Sequence, residues 1–375
     1  MIKPRRISKE ISTELLRIIA ILFVIGTHCK QSYFINDSPD FIRVLLACFV
    51  GDGVAVFWTI LGFYQWKEME NDYLIYLKKI FKKCFIPLFL LTVFMFYFNG
   101  FLYEGKSFLD SFLHPAVRYK TLLNGFLQWK NVVPHCGPLW FLYVYILVAV
   151  CIPCFYGIYH YIDKDGNTIK DRHILIALFL VLVVNDYFKN SILNFSHYSF
   201  NGVLGASIIV ILGHILYKYK DVFFREKEYH AIVLGGLLFI ATNILRCYIQ
   251  YRRFLRNNHN DHVVYWYTSF AILCVIGLVI LVWGFSRLIE NRTRLCGLIR
   301  YLGKRTFLVY LFHIPVLDKV NALGLPLFIK SFLDNSWMGS IVYQIVCTLI
   351  IYCLTMFIVN VFLFVKNCLL RLRAY

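Results

Sequence analysis

The stretch TELLRIIAILFVIGTHCKQ, residues 13–31, is a run of Leu, Ile, Val and Phe with an ionisable side chain near each end. Its length and hydrophobicity are typical of a membrane-spanning helix, in which Arg17 and His28 are energetically costly and need an explanation. The step from Arg17 to His28 corresponds to about three helical turns and a rise of roughly 16 Å. The two side chains are therefore predicted to share one helix face, with Arg17 near a membrane surface and His28 near mid-depth.

The composition of the whole chain assigns it to the membrane. Of its 375 residues, 59% are hydrophobic and 18% are aromatic, and the mean hydropathy is +0.64. A soluble protein of this length could not bury so much apolar surface, so the sequence predicts an all-α, polytopic integral membrane protein. Few residues remain outside the apolar segments, which predicts a single membrane-embedded domain over residues 1–375.

The apolar segments predict about ten transmembrane helices, since roughly 20 apolar residues span a bilayer. An even number of spans puts both termini on the same side of the membrane. We place the helices at about 13–34, 41–65, 81–98, 138–157, 173–188, 200–217, 230–249, 263–284, 302–318 and 339–365.

The formal net charge of +18 could indicate a nucleic-acid-binding protein, but Lys and Arg are concentrated in the short links between apolar segments. The links on the side of the termini hold about twice as many Lys and Arg residues as the opposite links, a bias typical of cytoplasmic loops. The sequence therefore predicts a multi-pass protein of the inner cell membrane, with both termini in the cytoplasm and no nucleic-acid partner. The stretch RRFLRNNHNDH, residues 252–262, opposes this bias, because it places three arginines outside.

Arg17 and His28 together suggest a catalytic arrangement. A cation at the membrane rim can bind phosphate, and an imidazole deeper in the same helix can serve as a general base. Their predicted separation is comparable with a pantetheine arm, which holds a thioester well away from its phosphates. The alternatives are that Arg17 is a snorkelling anchor and that His28 is a buried imidazole bonded to a neighbouring helix.

Two further ionisable residues in apolar segments extend this candidate site. Asp52 could orient an imidazole or neutralise Arg17, although a polar residue in a local Gly-x-Gly helix break is equally consistent with the sequence. His313, in the ninth predicted helix, lies near the predicted depth of His28 and suggests a paired-histidine site. A structural histidine before Pro315 is the alternative. No metal site is predicted, because Asn185–Asp186 and His259, Asp261 and His262 lack convergent ligand spacing.

Four segments resemble, in order, the motifs of acyltransferase family 3, the integral membrane O-acyltransferases that modify surface polysaccharides. Arg17, ten intervening residues and His28 match the family's Arg-x10-His motif. GVAVFWTILGFYQW (53–66) resembles its Gly-Val-x-x-Phe-Phe-x-x-Ser-Gly-Phe/Tyr segment, and GPLWFLYVYILVAVCIPCF (137–155) its Leu-Trp-Phe-x-Tyr helix. LGKRTFLVYLFHIPV (302–316) is similar to its late Gly-x-x-Ser-x-x-x-Tyr-x-x-His-x-Pro segment. The branch suggested contains the enterobacterial common antigen O-acetyltransferase.

The chain departs from the family pattern at two places. Leu61 replaces the serine that precedes Gly62, so that serine is not available as a catalytic group. The family's Arg-x-x-Arg before the third helix is replaced by lysines in YLKKIFKKCFIP (76–87), which keep the i, i+3/i+4 spacing but lose the bidentate guanidinium fork. The candidate phosphate-binding lysines are Lys78, Lys79, Lys82 and Lys83, with plain positive-inside charge as the alternative.

The resemblance implies transfer of an acyl group, usually acetyl, from cytosolic acyl-CoA to a hydroxyl of a surface or lipid-linked glycan. It implies that His28 deprotonates the acceptor hydroxyl while Arg17 and the lysines hold the CoA phosphates; an acyl-histidine intermediate is a second possibility. Aromatic residues of the matching motifs are candidate substrate contacts or plain packing residues: Trp140, Tyr143 and Tyr310.

A rival interpretation from a different functional class is a polytopic transporter or glycan flippase. Intramembrane His and Asp residues and a midplane cavity would suit that class equally well on composition alone. Transporters often show paired, interrupted helices in two halves, and no such symmetry is visible in the sequence. A weaker alternative is a non-catalytic receptor for an acylated lipid.

Overall fold

The computed structural model describes residues 4–33, 40–71, 73–129, 131–135, 139–162, 168–187, 200–220, 228–256, 268–333 and 337–372. Regular structure in these ranges is helical throughout, and none of the described residues forms a strand. The all-α prediction is therefore confirmed.

The helices are numbered here in chain order. They are α1 (Pro4–Tyr33), α2 (Asp40–Val50), α3 (Gly53–Asn71), α4 (Tyr73–Ile80), α5 (Ile86–Tyr103), α6 (Phe108–Leu113), α7 (Tyr119–Leu127), α8 (Trp140–Ile162), α9 (Thr168–Tyr187), α10 (Phe200–Lys218), α11 (Glu228–Arg256), α12 (Thr268–Ile289), α13 (Thr293–Gly303), α14 (Thr306–Ala322), α15 (Leu325–Lys330) and α16 (Trp337–Leu372). A π-helical turn, Phe81–Phe85, joins α4 to α5.

Six segments of the described chain are long and apolar enough to cross a membrane, which makes the protein a multi-pass membrane protein. They are Glu10–Cys29, Val44–Tyr64, Tyr73–Tyr103, Glu228–Arg252, Phe270–Ile289 and Met338–Leu369. Three shorter apolar helices, Trp140–Cys154, His173–Val184 and Val203–Lys218, coincide with three further predicted spans. The count of ten spans stays a prediction.

Three predicted helices differ from the structure in a way that matters for the site. The second, 41–65, is interrupted at Gly51–Asp52. The third begins at Tyr73 rather than at 81, because the lysine-rich segment is itself helical. The ninth, 302–318, is divided by a turn at Lys304–Arg305, so its long part starts at Thr306.

The chain divides into two compact units, and the boundary falls inside α3, between Phe57 and Trp58. Unit 1 is Met1–Phe57 with Tyr219–Tyr375, and unit 2 is Trp58–Lys218. In unit 1, α1 contacts α2, α12, α13, α14 and α16, so the helix that carries Arg17 and His28 is packed on several sides. The single domain over 1–375 stays a prediction.

Gly53 brings the start of α3 directly against α1. A Cβ atom on Gly53 would lie 2.6 Å from the Ala20 carbonyl oxygen and 2.9 Å from the Val24 nitrogen, closer than real Cβ atoms approach backbone. Any larger residue would therefore push the helices apart. Thr27 lies beside the same turn, because its hydroxyl is 3.0 Å from the Val50 carbonyl oxygen.

Unit 2 is held together by a second close glycine contact and by aromatic packing. A Cβ atom on Gly62 would collide with the carbonyl oxygen of Val210 and lie 2.8 Å from the His214 nitrogen, so α3 and α10 touch through their backbones. The fully buried Trp58 packs on Phe141, with ring centroids 4.5 Å apart. Gly62, part of the family-like segment 53–66, therefore has a packing role.

Candidate active site

The site is built on α1, which is continuous from Pro4 to Tyr33. The helix therefore places Arg17 and His28 about three turns and roughly 16 Å apart along one axis, as the sequence predicts. Both side chains are partly buried. Between them, Ala20 and Val24 are 0% and 5% exposed, because the Gly53 end of α3 covers this stretch of α1.

His28 and His313 face each other inside unit 1. Their ring centroids are 5.4 Å apart, with the rings tilted by 45°. His313 is the seventh residue after the first residue of α14, so it lies about 10 Å along that helix rather than the roughly 16 Å expected for a helix that began at 302. The two imidazoles nevertheless lie side by side in the tertiary structure, as their similar predicted depths suggested.

The surroundings of His313 fix its hydrogen-bonding state. The side chain is 0% exposed, and its Nδ1 lies 2.6 Å from the Tyr310 carbonyl oxygen. A carbonyl oxygen only accepts hydrogen bonds, so Nδ1 must carry the proton and the neutral ring leaves Nε2 as a lone-pair acceptor. Among the described residues, this buried Nε2 atom has no hydrogen-bond partner.

Tyr310 supports the pair through its backbone and through its ring. Its ring is 5.5 Å from that of His313 and 6.2 Å from that of Phe57. The residue is 4% exposed, so its side chain forms one wall of the site instead of an open surface.

Arg17 has a carboxylate partner that sequence reasoning missed. Its Nη1 donates to Glu14 Oε1 at 2.8 Å, an i, i+3 pair on α1. Glu14 is 6% exposed and packs against Gly303, the last residue of α13. The signal in the sequence was the acidic residue three positions before Arg17, a spacing that places both side chains on one helix face.

Asp52 has a different partner from those the sequence suggested. Its Oδ1 accepts from Arg246 Nη1 at 2.8 Å, and both side chains are 2% exposed. Arg246 also donates to the Asn243 side-chain oxygen at 3.2 Å and to the Cys48 carbonyl oxygen. Asp52 therefore neutralises Arg246, whereas Arg17 is neutralised by Glu14 and no described hydrogen bond joins Asp52 to an imidazole.

The Asp52–Arg246 pair and Thr27 together stabilise the break between α2 and α3. A helix end leaves its last carbonyl groups without intrahelical partners, which is costly inside a membrane. Arg246 donates to one of these carbonyls, that of Cys48, and the single O–H of Thr27 is shared between the Phe23 carbonyl oxygen of its own helix at 2.9 Å and the Val50 carbonyl oxygen at 3.0 Å. At the other side of the break, the Asp52 carbonyl accepts the first helical bond of α3, from the Val56 nitrogen at 3.0 Å.

A small apolar cavity lies one turn beyond the histidine pair. Its volume is about 10 Å³, room for roughly one water molecule. It is lined by residues of four helices, α1, α14, α15 and α16, that include Cys29, Leu317, Asn321, Pro326, Tyr343 and Cys347. Nearby, Gln344 donates from Nε2 to the Gly26 carbonyl oxygen at 2.6 Å and so ties α16 to the turn of α1 that precedes His28.

The remaining predicted site residues belong to unit 2, whereas Arg17, His28, Asp52, His313 and Tyr310 belong to unit 1. Tyr143 is 1% exposed, and its carbonyl oxygen accepts from Trp129 Nε1 at 2.9 Å, so it is a core residue of unit 2. Trp140 packs edge-on against Phe141. All four candidate lysines are exposed at the junction of α4 and the π-helical turn: Lys78, Lys79, Lys82 and Lys83. Their predicted contact with a phosphate stays a prediction.

The described residues contain no group of three or more His, Cys, Asp or Glu side chains that could hold a metal ion. Asp186 lies near the end of α9, with only its backbone described. His259, Asp261 and His262 lie outside the described residues.

Comparison with known proteins gives one match. The model of acyltransferase family 3, described as an acyltransferase domain, matches residues 10–364 and so covers α1 through most of α16. No curated protein and no solved structure matches the chain. The family match supports a membrane acyltransferase over a transporter. Because the family model matches nearly the whole chain, the protein belongs to acyltransferase family 3.

Proposed function

We propose that this protein transfers an acetyl or other short acyl group from acyl-CoA to a hydroxyl of a surface or lipid-linked glycan. The acceptor class and the inner-membrane location, with both termini cytoplasmic, are part of the same proposal. The observation that carries it is the pairing of His28 with His313, with ring centroids 5.4 Å apart inside the helix bundle of an acyltransferase-family chain.

The chemistry requires a base, because a sugar hydroxyl is too weakly acidic to attack a thioester unaided. Imidazole titrates near neutral pH and can take and return a proton in one cycle. His28 takes the hydroxyl proton as the oxygen bonds to the acyl carbon. The carbon–sulfur bond then breaks, its electron pair leaves with the sulfur, and His28 returns the proton to the thiolate. The products are an ester and free CoA.

Arg17 is suited to hold a phosphate of the donor. The Glu14 contact uses one guanidinium N–H group out of five, and the Arg17 side chain is 37% exposed. The distance from Arg17 to His28 along α1, roughly 16 Å, fits a donor that binds by its phosphates at one end and reacts at the other. That the lysines of α4 and the π-helical turn contact a phosphate is proposed from the family resemblance alone.

The central experiment is His28→Ala, assayed for transfer of labelled acetyl from acetyl-CoA to glycan in membranes. Loss of a general base is expected to lower kcat by about 10²- to 10⁴-fold. His230→Ala is the matched control, because His230 is an exposed histidine of the same unit. Turnover retained in His28→Ala membranes removes this histidine from the mechanism.

A binding measurement tests the donor separately. Acetyl-CoA is expected to raise the apparent melting temperature of the purified protein, because a ligand that binds only the folded state stabilises it. Arg17→Ala should lower the melting temperature of the free protein, because Glu14 loses its partner, and should also shrink the further rise that acetyl-CoA produces in the same variant. Absence of any stabilisation by acetyl-CoA, together with movement of a solute across liposomes, would favour the transporter interpretation instead.

A further inference from the structure

His313 has a feature that the base mechanism does not use. It is fully buried, its Nδ1 donates to the Tyr310 carbonyl oxygen at 2.6 Å, and its Nε2 is an acceptor without a described partner. Several buried side-chain atoms of unit 1 lack a described hydrogen bond, Asp52 Oδ2 and Arg246 Nε among them, but His313 Nε2 is the one with a second imidazole beside it. The nearest imidazole is the half-buried ring of His28, 5.4 Å away between centroids.

The spacing of the two rings allows a hydrogen bond when one nitrogen of each ring points at the other. A ring nitrogen lies a little over 1 Å from the centroid of its own imidazole. Two nitrogens aimed at each other across 5.4 Å would therefore be about 3 Å apart, within hydrogen-bond distance. Catalytic hydrogen bonds are often long in substrate-free structures and shorten in the reacting complex.

We propose that His313 is the positioning residue of His28. In this arrangement His28 donates an N–H to His313 Nε2, and His313 donates its Nδ1–H to the Tyr310 carbonyl oxygen. The other nitrogen of His28 is then the lone pair that receives the hydroxyl proton. The chain carbonyl–His313–His28 fixes both tautomers and stabilises the His28 imidazolium once it forms, as the orienting member of a catalytic triad does. His313 itself gains and loses no proton.

The proposal rests on the proposed function, since it assigns His28 the role of base. It adds that His313 acts through His28 and through one specific atom. Glu14 and Asp52, the two buried carboxylates of α1 and the α2–α3 turn, are already paired with Arg17 and Arg246, respectively. A backbone-anchored histidine therefore takes the place that an acidic residue has in other triads.

Two amide substitutions of His313 test the role of each ring nitrogen separately. His313→Gln places an amide near the Nε2 position and keeps an acceptor for His28. His313→Asn places an amide near Nδ1, where it can still donate to the Tyr310 carbonyl oxygen but cannot reach His28. A positioning role predicts that H313N lowers kcat by roughly 10- to 100-fold more than H313Q, with KM for acetyl-CoA unchanged in both. A purely structural role in anchoring to Tyr310 predicts the reverse order.

The second readout is a double-mutant cycle with His28→Ala, scored on residual acetyl transfer. If His313 acts through His28, H313N has no further effect in the H28A background, because residues that act as a unit are strongly non-additive. If H313N does not accumulate in the membrane, His313→Leu takes its place in the same cycle. Equal losses for H313Q and H313N, or a full additional loss in the H28A background, would overturn the positioning role. Retained activity of H28A alone would instead overturn the proposed base.

Discussion

Two polar pairs of unit 1, Asp52 with Arg246 and His28 with His313, differ in how their members interact. Asp52 and Arg246 are 2% exposed and directly bonded at 2.8 Å, with Arg246 also donating to a carbonyl oxygen of the α2–α3 break. His28 and His313 are close but not bonded, and His313 Nε2 has no partner within the described residues. The first pair is held by a direct ion pair, although Asp52 Oδ2 and Arg246 Nε have no described hydrogen bond, whereas no described hydrogen bond joins the two rings of the second pair.

The difference suggests different roles for the two pairs: the ion pair stabilises the fold, and the histidine pair is proposed to serve the reaction. A buried charge is tolerated only with an opposite charge and hydrogen bonds, so Asp52 and Arg246 are explained by each other and by the broken helix they stabilise. A buried acceptor without a donor stabilises nothing in the substrate-free protein. Among the buried polar atoms of unit 1 that lack a described hydrogen bond, His313 Nε2 is distinguished by a second imidazole beside it, and we therefore assign this pair to the chemistry.

The largest loss of stability is expected at the Asp52–Arg246 ion pair. Arg246→Met leaves the Asp52 carboxylate buried without its counter-charge and should destabilise the protein by about 3–5 kcal/mol, measured by unfolding in detergent micelles. The double variant R246M/D52N is the matched control and should recover most of the loss, because it removes both charges. An R246M protein as stable as the unmodified chain would show that the ion pair does not hold the break.

A smaller loss is expected from Gly53→Ala, which tests the backbone contact beside the same break. The added Cβ meets the Ala20 carbonyl oxygen and the Val24 nitrogen, so overpacking should cost about 1–3 kcal/mol. Gly297→Ala is the control, since nothing lies within 4 Å of a Cβ there and alanine favours a helix. Equal melting temperatures for G53A and G297A would contradict the close packing of α3 on α1.

Thr27→Val should have a still smaller effect, about 1 kcal/mol. It removes the hydroxyl beside the Val50 carbonyl oxygen at 3.0 Å while keeping the side-chain shape. Thr27→Ser keeps the hydroxyl and should remain near the stability of the unmodified protein in the same unfolding assay. A loss in T27S as large as in T27V would indicate a role for the methyl group instead of the hydrogen bond.

The smallest loss of stability, together with a strong loss of acetyl transfer, is expected at the His28–His313 pair. His313→Leu removes the unpartnered Nε2 together with the Nδ1 bond to the Tyr310 carbonyl oxygen, so the stability should fall by no more than the net worth of one hydrogen bond, about 1 kcal/mol. Acetyl transfer should nevertheless fall strongly in the same preparation. A loss of stability comparable with that of R246M would remove the distinction between the two pairs.

The helices were predictable from the sequence, because an apolar segment of about 20 residues has the length that a membrane-spanning helix needs. The predicted segments 200–217 and 339–365 agree with Phe200–Lys218 and with the interior of Trp337–Leu372. The break at Gly51–Asp52 lies in the Gly-x-Gly segment that the sequence offered as one alternative, and the turn at Lys304–Arg305 lies at two cations within an apolar segment. What stabilises the first break comes from residues distant in sequence, Thr27 and Arg246.

The part of the candidate site that lies within one helix was predictable from the sequence. The positions of Arg17 and His28 follow from helical periodicity within one segment, and Glu14 carried a local i, i+3 signal that was overlooked. The partner of Asp52 could not be found this way, since Arg246 is 194 positions away along the chain. The exposed lysines and the motif aromatics of unit 2 were predicted from resemblance, and no described contact assigns them a ligand.

By itself, the sequence determined that the chain is a helical membrane protein and that one helix carries a guanidinium and an imidazole three turns apart. These properties depend on hydrophobicity and on the helical repeat, which act locally along the chain. Only the tertiary structure decided that Asp52 neutralises Arg246 and that the rings of His28 and His313 lie side by side. Those outcomes depend on contacts between helices far apart in sequence, where hydrogen bonds and burial in an apolar interior determine the partner of each charge.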